Sequence, residues 1–253
     1  MQRAQELYRE GKLTEAISQL QAVLRDKPTD KRARTFLFEL LCFAGEFDRA
    51  RKQLGVLAEE TQQTKLGVSF YLAALSAETD RQAWYQLPAP PVIGSAGGDS
   101  AVGSADGGTV SGVCDGVSFT GIHDLDPRLG GSLEFLTAGK YHRIAFRNLA
   151  RLEFSPTVRA RDAYWRVATL EFSAAMGSNE LDSILVPVLY PQTYLFEDDQ
   201  TRLGRTTDFA LSGGGEEIPC GQRILLIGGR EVPLLEITSI TFDDPEPAGG
   251  GSV

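Results

Sequence analysis

The segment HDLDPRLGGSLE, from His123 to Glu134, contains residue types that could do chemistry. A histidine and two aspartates, His123, Asp124 and Asp126, could ligate a metal ion or exchange protons in a hydrolase. A metal site needs three or four converging ligands, and this segment supplies only part of such a set. The Asp126–Pro127 pair favours a turn that opens a strand. We therefore predict a structural role for these residues and keep a metal-dependent hydrolase as the alternative.

Other patterns for catalysis are incomplete. A G-x-S-x-G elbow is absent from the sequence, and Cys114 beside a glycine-rich stretch has no obvious base as a partner. The glycines near Gly94–Gly98 lack the Lys–Ser/Thr pair of a phosphate-binding loop. The acidic residues Glu197, Asp198 and Asp199 are more typical of a solvated loop than of a cation site. We predict a protein that is not an enzyme and that holds neither a metal nor a cofactor.

Two arginines lie in glycine-containing strings beside acidic residues. Arg128 follows Asp126, and Arg205 ends the string FEDDQTRLGR. A guanidinium can tie a loop to carboxylates through two parallel hydrogen bonds. We expect each arginine to form a structural ion pair.

The net charge of the chain is negative, and it is unevenly distributed along the sequence. The 253 residues carry a net charge of −9, of which +1 belongs to residues 1–87 and −10 to residues 88–253. Nucleic-acid binding needs clustered Lys and Arg, so the charge argues against it. The three cysteines lack C-x-x-C spacing, which favours a reducing compartment, and neither a signal peptide nor a membrane-length apolar run is visible. We expect a cytoplasmic protein that binds neither nucleic acid nor membrane.

The first 60 residues contain an internal repeat with a 34-residue period, which is the length of a tetratricopeptide helical hairpin. The recurring pairs are Leu7 and Leu41, Gly11 and Gly45, Leu13 and Phe47, Ala16 and Ala50, and Leu20 and Leu54. The glycines suit left-handed helix ends, and the alanines suit close helix packing. A further helix is predicted over Lys65 to Arg81. Stacked hairpins of this kind have a concave face where partners dock.

The third predicted helix has more apolar residues than one packing face needs. Phe36, Leu37, Leu40 and Phe43 lie within eight positions. Such a helix is either packed on two sides or leaves part of its surface for a partner. These four residues are the candidate partner-binding residues.

The composition changes at residues 88–112, which are almost entirely Pro, Gly, Ser, Ala and Asp. This segment predicts a flexible linker between a helical domain, residues 1–87, and a β-rich domain, residues 113–244. Residues 245–253 are predicted to be a disordered tail.

Alternating and apolar runs after the linker predict strands. SLEFLTAGKYHRIAF suggests two strands and a short turn, and QRILLIGGREVPLLEI suggests a hairpin over Gly228–Gly229. AYWRVATLEFS and ILVPVLYP suggest longer strands. Six or more short strands predict a curled sheet or partial barrel.

Several strings in this order resemble the ImpE-like (SciE-type) accessory proteins of bacterial type VI secretion. They are DGVSFTGIHDLDPRLGGSLEFLTAGKYHRIAF, RARDAYWRVATLEF, VLYPQTY and LGRTTDF. The matching positions are Asp124, Asp126, Arg128, Leu129, Gly130, Tyr141, Asp162, Trp165, Tyr190, Pro191, Leu203, Gly204, Arg205 and Thr206. The resemblance implies an α+β protein of two domains, with tetratricopeptide-like repeats followed by a β-rich, barrel-like sheet domain.

The resemblance also implies a partner. Proteins of this kind bind the small subunit of the contractile sheath through that subunit's N-terminal helix, which links them to sheath assembly or to recycling by the unfoldase. It supplies no catalytic residues. A general tetratricopeptide adaptor with other clients is the alternative to a sheath-binding protein.

Overall fold

The computed structural model describes residues 1–58, 62–86, 109–211, 215 and 217–243, and for residues 62–64 the backbone only. Residues 88–108 of the predicted linker and the predicted tail, residues 245–253, lie outside the described residues. The last two linker positions, Ser111 and Gly112, belong to the first strand. The sheet region therefore begins two residues earlier than the sequence predicts.

The N-terminal region is built of helices, and both predicted hairpins are present. The helices are α1 (Gln2–Arg9), α2 (Leu13–Asp26), α3 (Lys31–Phe43), α4 (Phe47–Leu57) and α5 (Gln62–Trp84). Gly11 and Gly45 have φ values of +79° and +70° and turn the chain between the helices of each pair, a conformation that glycine adopts without steric cost. Ala16 and Ala50 are fully buried. The tetratricopeptide-like pattern is thus confirmed in the packing.

Within the described residues, the second region contains thirteen strands, four short 3-10 helices and one short α-helix, α6 (Asp199–Arg202). The strands are β1 (Ser111–Cys114), β2 (Val117–Thr120), β3 (Ile122–Asp124), β4 (Ser132–Thr137), β5 (Lys140–Ala145), β6 (Leu149–Phe154), β7 (Trp165–Phe172), β8 (Glu180–Pro187), β9 (Thr207–Leu211), β10 (Glu217–Gly221), β11 (Ile224–Ile227), β12 (Arg230–Pro233) and β13 (Ser239–Phe242).

The strands form an antiparallel sheet of eight, a sheet of three and a two-stranded ribbon. Their orders are β2-β1-β13-β6-β7-β8-β4-β5, β12-β11-β3 and β10-β9. Within the described strands, β2 and β5 stand at opposite edges of the large sheet and do not pair. The α+β class is confirmed, whereas the sheet is open and the expected barrel is not confirmed.

The predicted strand pairs follow local sequence signals. β4 and β5 pair across Ala138–Gly139, with Thr137 opposite Lys140. β11 and β12 pair across Gly228–Gly229, whose φ values are +56° and +77°. Two successive residues with positive φ make the primed turn that matches strand twist. Both hairpins are as the sequence predicts.

The helical region and the sheet region share one continuous hydrophobic core. Helix α5 packs across β4 and β5. On α3, Phe38 contacts Tyr71 of α5, with ring centroids 5.7 Å apart, while Phe43 contacts Tyr164 of the sheet region at 5.2 Å. None of the helices among the described residues is long and apolar enough to cross a membrane.

Candidate functional site

The three candidate metal ligands do not converge. Asp124 is buried, and its Oδ2 accepts hydrogen bonds from Arg223 Nη2 at 2.7 Å and Nε at 3.0 Å. Asp126 is also buried and accepts from Arg128 Nη2 at 2.6 Å. His123, which precedes Asp124 and points to the opposite face of β3, is exposed. The described residues contain no group of three or more His, Cys, Asp or Glu side chains placed to hold a metal ion.

Asp124 belongs to a buried charge cluster between α5 and the sheet region, formed by Glu78, Arg81, Glu134, Arg223 and Asp124. Arg81 Nη2 lies 2.5 Å from Glu134 Oε1, and its Nη1 lies 2.9 Å from Glu78 Oε1. Arg223 Nη1 lies 3.2 Å from Glu134 Oε1. These side chains are at most 2% exposed. The cluster joins a helix of the first region to three separate segments of the second.

Glu134 lies at the centre of this buried charge cluster. Burial acts to raise the pKa of its carboxyl, but Arg81 and Arg223 lower it further than burial raises it, to about 2. The Tyr141 hydroxyl adds a hydrogen bond of 3.1 Å. Glu134 is therefore ionised at neutral pH and enclosed by donors. A carboxylate in this state stabilises a fold better than it transfers protons, because a general base must reach its substrate.

The family-motif residues Tyr141 and Trp165 are part of the same junction. Trp165 Nε1 donates to Glu78 Oε2 at 2.9 Å, and Gln82 Nε2 donates to Glu78 Oε1 at 2.7 Å. Each buried carboxylate thus has several donors, as a buried charge requires. Sequence reasoning found Tyr141 and Trp165 but missed Glu78, Arg81, Glu134 and Arg223. The available signal was a charged residue inside an apolar run, such as Glu134 in SLEFL.

A second set of contacts fixes the ends of the first two helices. Arg205 donates to the main-chain oxygens of Tyr8 and Arg9, at the end of α1, and Asp199 Oδ2 accepts from Thr14 N at 3.2 Å, near the start of α2. A cation at a helix C-terminus and an anion at an N-terminus both suit the helix dipole. The expectation that Arg205 pairs with a carboxylate is wrong for the described residues, since its side chain donates to main-chain oxygens and to Gln200 Oε1. Arg128 does form the predicted ion pair.

Four further motif residues, Gly130, Tyr190, Pro191 and Gly204, lie in or beside loops of the sheet region. Gly130 accepts from Asp124 N at 2.8 Å, and the Tyr190 hydroxyl accepts from Ile224 N at 3.0 Å. Pro191 is buried, and Gly204 packs so closely on Leu189 that a side chain there would collide with it. These contacts are consistent with the structural role that the sequence predicts for the four residues.

The four candidate partner-binding residues divide into two groups. Leu37, Leu40 and Phe43 are at most 3% exposed. They do not offer a docking surface, because α3 is packed on two sides. Phe36 is only partly buried and faces a cleft. The sequence allows α3 either to be packed on two sides or to leave part of its surface open. Three of the four residues are packed in the core, and Phe36 alone of the four faces open space.

The cleft, of about 530 Å³, lies between α1, α3 and a loop of the sheet region. We call it the α1–α3 cleft. It is lined by Met1, Gln5, Tyr8, Arg9, Lys31, Arg32, Thr35, Phe36, Glu39, Val158, Arg159 and Ala160. α1 and α3 are the first helices of the two hairpins, so the cleft lies where the two repeats stand side by side.

Aromatic contacts shape the floor of the α1–α3 cleft. The rings of Tyr8 and Phe36 meet edge to face, with centroids 5.6 Å apart. The Arg205 guanidinium lies 5.3 Å from the centroid of the Tyr8 ring. The floor is therefore a positioned aromatic pair, which binds apolar side chains at low entropic cost.

Asp162, another motif residue, positions the loop at the mouth of the α1–α3 cleft. Its Oδ2 accepts hydrogen bonds from Val158 N at 2.9 Å and Arg159 N at 2.8 Å. Val158 is 83% exposed. An apolar side chain held in water on a fixed loop is a candidate contact for a partner.

The α1–α3 cleft is basic at its rim and has one acidic side chain in its floor. Arg9, Arg32 and Arg159 are exposed. Glu39 is buried and pairs with Arg161 at 2.9 Å. Burial raises the pKa of Glu39, and Arg161 opposes that rise. The cleft can accept an apolar side chain in its floor and acidic groups at its rim.

Both the helical region and the sheet region of this chain are similar to known proteins. Residues 116–241 match the model of the ImpE protein family, and residues 7–67 match a tetratricopeptide repeat model. The type VI secretion system accessory component TagJ of Pseudomonas aeruginosa is 29% identical over 263 aligned positions, covering 95% of this chain and 91% of that protein. An X-ray structure of a Vibrio parahaemolyticus protein shares the fold, with a TM-score of 0.76, 21% identity and coverage of 95% and 97%.

Proposed function

The chain belongs to the ImpE family of type VI secretion accessory components, and we propose that it binds the N-terminal helix of the small contractile-sheath subunit in the α1–α3 cleft. It acts as an adaptor rather than as an enzyme. Its binding would link that subunit to sheath assembly or to recycling by the unfoldase. The observation that carries the proposal is the open cleft between α1, α3 and the loop at residues 158–160, with Tyr8 and Phe36 in its lining.

Helix recognition in a groove depends on a few apolar anchors spaced at i, i+3, i+4 and i+7. Tyr8 and Phe36 give the α1–α3 cleft an aromatic floor, and Val158 stands at its mouth. The buried charge cluster is not a candidate for partner binding, because its carboxylates are closed off from solvent. The α1–α3 cleft, by contrast, is open to a macromolecule.

The test is a titration of a fluorescent peptide that spans the N-terminal helix of the small sheath subunit of the same organism. It uses the full chain, because residues 1–87 alone would expose the charges of Glu78 and Arg81. We expect Phe36→Ala to weaken binding about tenfold or more, as loss of an aromatic anchor does.

The matched control is Phe209→Ala, which removes another partly exposed phenylalanine, on β9 and outside the α1–α3 cleft. Its affinity for the peptide should equal that of the wild type. Absence of binding by the wild-type chain would contradict the proposed function. A loss on Phe209→Ala with none on Phe36→Ala would place the site on the β9–β10 ribbon instead.

A further inference from the structure

We infer that the segment bound in the α1–α3 cleft is an apolar helix flanked by acidic side chains. The inference rests on the proposed function for the place of binding, and it specifies the chemistry of the partner. It follows from the local charge of the cleft, which differs in sign from the charge of the whole chain.

The rim of the α1–α3 cleft is basic in an acidic protein. Four of its twelve lining residues are Lys or Arg, whereas the net charge of the chain is −9. Arg9 and Arg32 are exposed and form no ion pair with another described residue. Exposed like charges repel one another within a cleft, so an acidic partner relieves a repulsion as well as forming new pairs.

The three arginines of the rim come from three separate segments. Arg9 is on α1, Arg32 is on α3, and Arg159 is on the loop held by Asp162. All three line the same cleft as Tyr8 and Phe36, and they do not lie along one helix face. A partner that places one apolar side chain on Tyr8 and Phe36 therefore presents its neighbouring side chains to guanidinium groups on several sides.

Glu39 excludes an acidic anchor from the floor itself. Its carboxylate is buried, pairs with Arg161 and is also attracted by Arg159, so it leaves Arg9 and Arg32 without an ion pair among the described residues. A second carboxylate placed beside it would meet a like charge in a poorly solvated position, which is unfavourable. The complementary segment therefore has its acidic residues at the flanks and an apolar residue at the centre.

This arrangement predicts salt-dependent binding. The near-neutral charge of residues 1–87 taken as a whole predicts only a weak dependence on salt. The charges of the cleft are local, however, and pairs of exposed charges attract more weakly as salt rises, because the Debye length, about 8 Å at physiological ionic strength, becomes shorter. Affinity should thus fall with salt concentration.

The experiment uses two synthetic helical peptides with the same apolar face, one with glutamate and one with lysine at the flanking positions. We expect the full chain to bind the glutamate peptide at least tenfold more tightly at low salt, and the ratio to shrink at high salt. The double variant Arg9→Glu, Arg32→Glu should remove or reverse this preference. The control Lys52→Glu, Arg147→Glu makes the same change in net charge at exposed positions outside the cleft and should keep the preference.

Equal affinities for the two peptides, absence of binding by both, or the same loss in the control variant would overturn the inference. The sheath-subunit peptide is titrated in parallel. If that peptide binds while the charge preference is absent, the inference fails and the proposed function stands. If the glutamate peptide binds through Arg9 and Arg32 while the sheath peptide does not, the inferred chemistry of the partner stands. The proposed partner, the small sheath subunit, is then wrong.

Discussion

The buried charge cluster and the α1–α3 cleft lie between the same two regions of the molecule and contain the same residue types. In the cluster, Arg81, Glu134 and Arg223 are at most 2% exposed, and each guanidinium contacts two carboxylates. In the cleft, Arg9 and Arg32 are exposed, and Val158 in the same lining is 83% exposed. The charges of the cluster are paired with one another inside the protein, whereas Arg9 and Arg32 in the cleft form no ion pair with another described residue.

This difference shows how residues of one kind can serve two purposes. A buried arginine must be paired, because an uncompensated charge away from water costs several kcal/mol. An exposed arginine bears no such cost and remains available to a partner. Mutations at the two places should therefore affect different properties, namely stability at the cluster and binding at the cleft.

The largest effect is expected for Arg81→Met. This change leaves Glu134 and Glu78 with fewer partners in a buried site, and should lower the free energy of unfolding by about 3–5 kcal/mol. Urea denaturation measures it. Arg32→Met in the cleft is the matched control and should change stability by less than about 0.5 kcal/mol. Equal small effects of both variants would erase the distinction between the two regions.

Arg128→Ala should have an intermediate effect. Its partner Asp126 is fully buried, while the Arg128 side chain is 23% exposed and stacks on Tyr85, with its Cζ 4.8 Å from the ring centroid. We expect a loss of about 2–3 kcal/mol in unfolding free energy, between the values for exposed and buried pairs. Arg151→Ala breaks an exposed pair with Glu153 and should cost under about 1 kcal/mol. Unchanged stability with lost peptide binding would instead make Arg128 a binding residue.

A smaller effect is expected from acid. Since the folded pKa of Glu134 is about 2, against an ordinary value of 4.5, its stabilising contribution is present above pH 4.5 and is lost as pH falls towards 2. The difference in unfolding free energy between wild type and Glu134→Gln should therefore shrink by about 1.5–2 kcal/mol from pH 5 to pH 3. A difference that stays constant or grows with acid would mean that Glu134 is not held ionised by its arginines.

The features that the sequence predicts well depend on neighbouring residues. The helical hairpins follow from the 34-residue repeat with glycine at each turn, and the β11–β12 hairpin follows from Gly228–Gly229 between two apolar runs. Each signal lies within a few residues of the structure that it specifies. Local chemistry suffices for such elements.

The features that sequence reasoning missed depend on distant residues. Arg81 pairs with Glu134 across 53 positions, and Arg223 pairs with Asp124 across 99. The apolar excess of α3 was equally ambiguous, because a helix packed on two sides and a helix with an open face have the same composition. Only the tertiary arrangement shows that Phe43 meets Tyr164 while Phe36 faces the α1–α3 cleft.

Hydrogen exchange of the full chain, with and without the sheath-subunit helix peptide, tests the central claim most directly. We expect the peptide to slow exchange in α1, in the first turns of α3 and at residues 157–160, because binding stabilises the segments that it contacts. Exchange at α5 and β4, which hold the buried charge cluster, should be unchanged. Slower exchange confined to the β9–β10 ribbon, with α1 and α3 unaffected, would contradict the assignment of the binding site to the α1–α3 cleft.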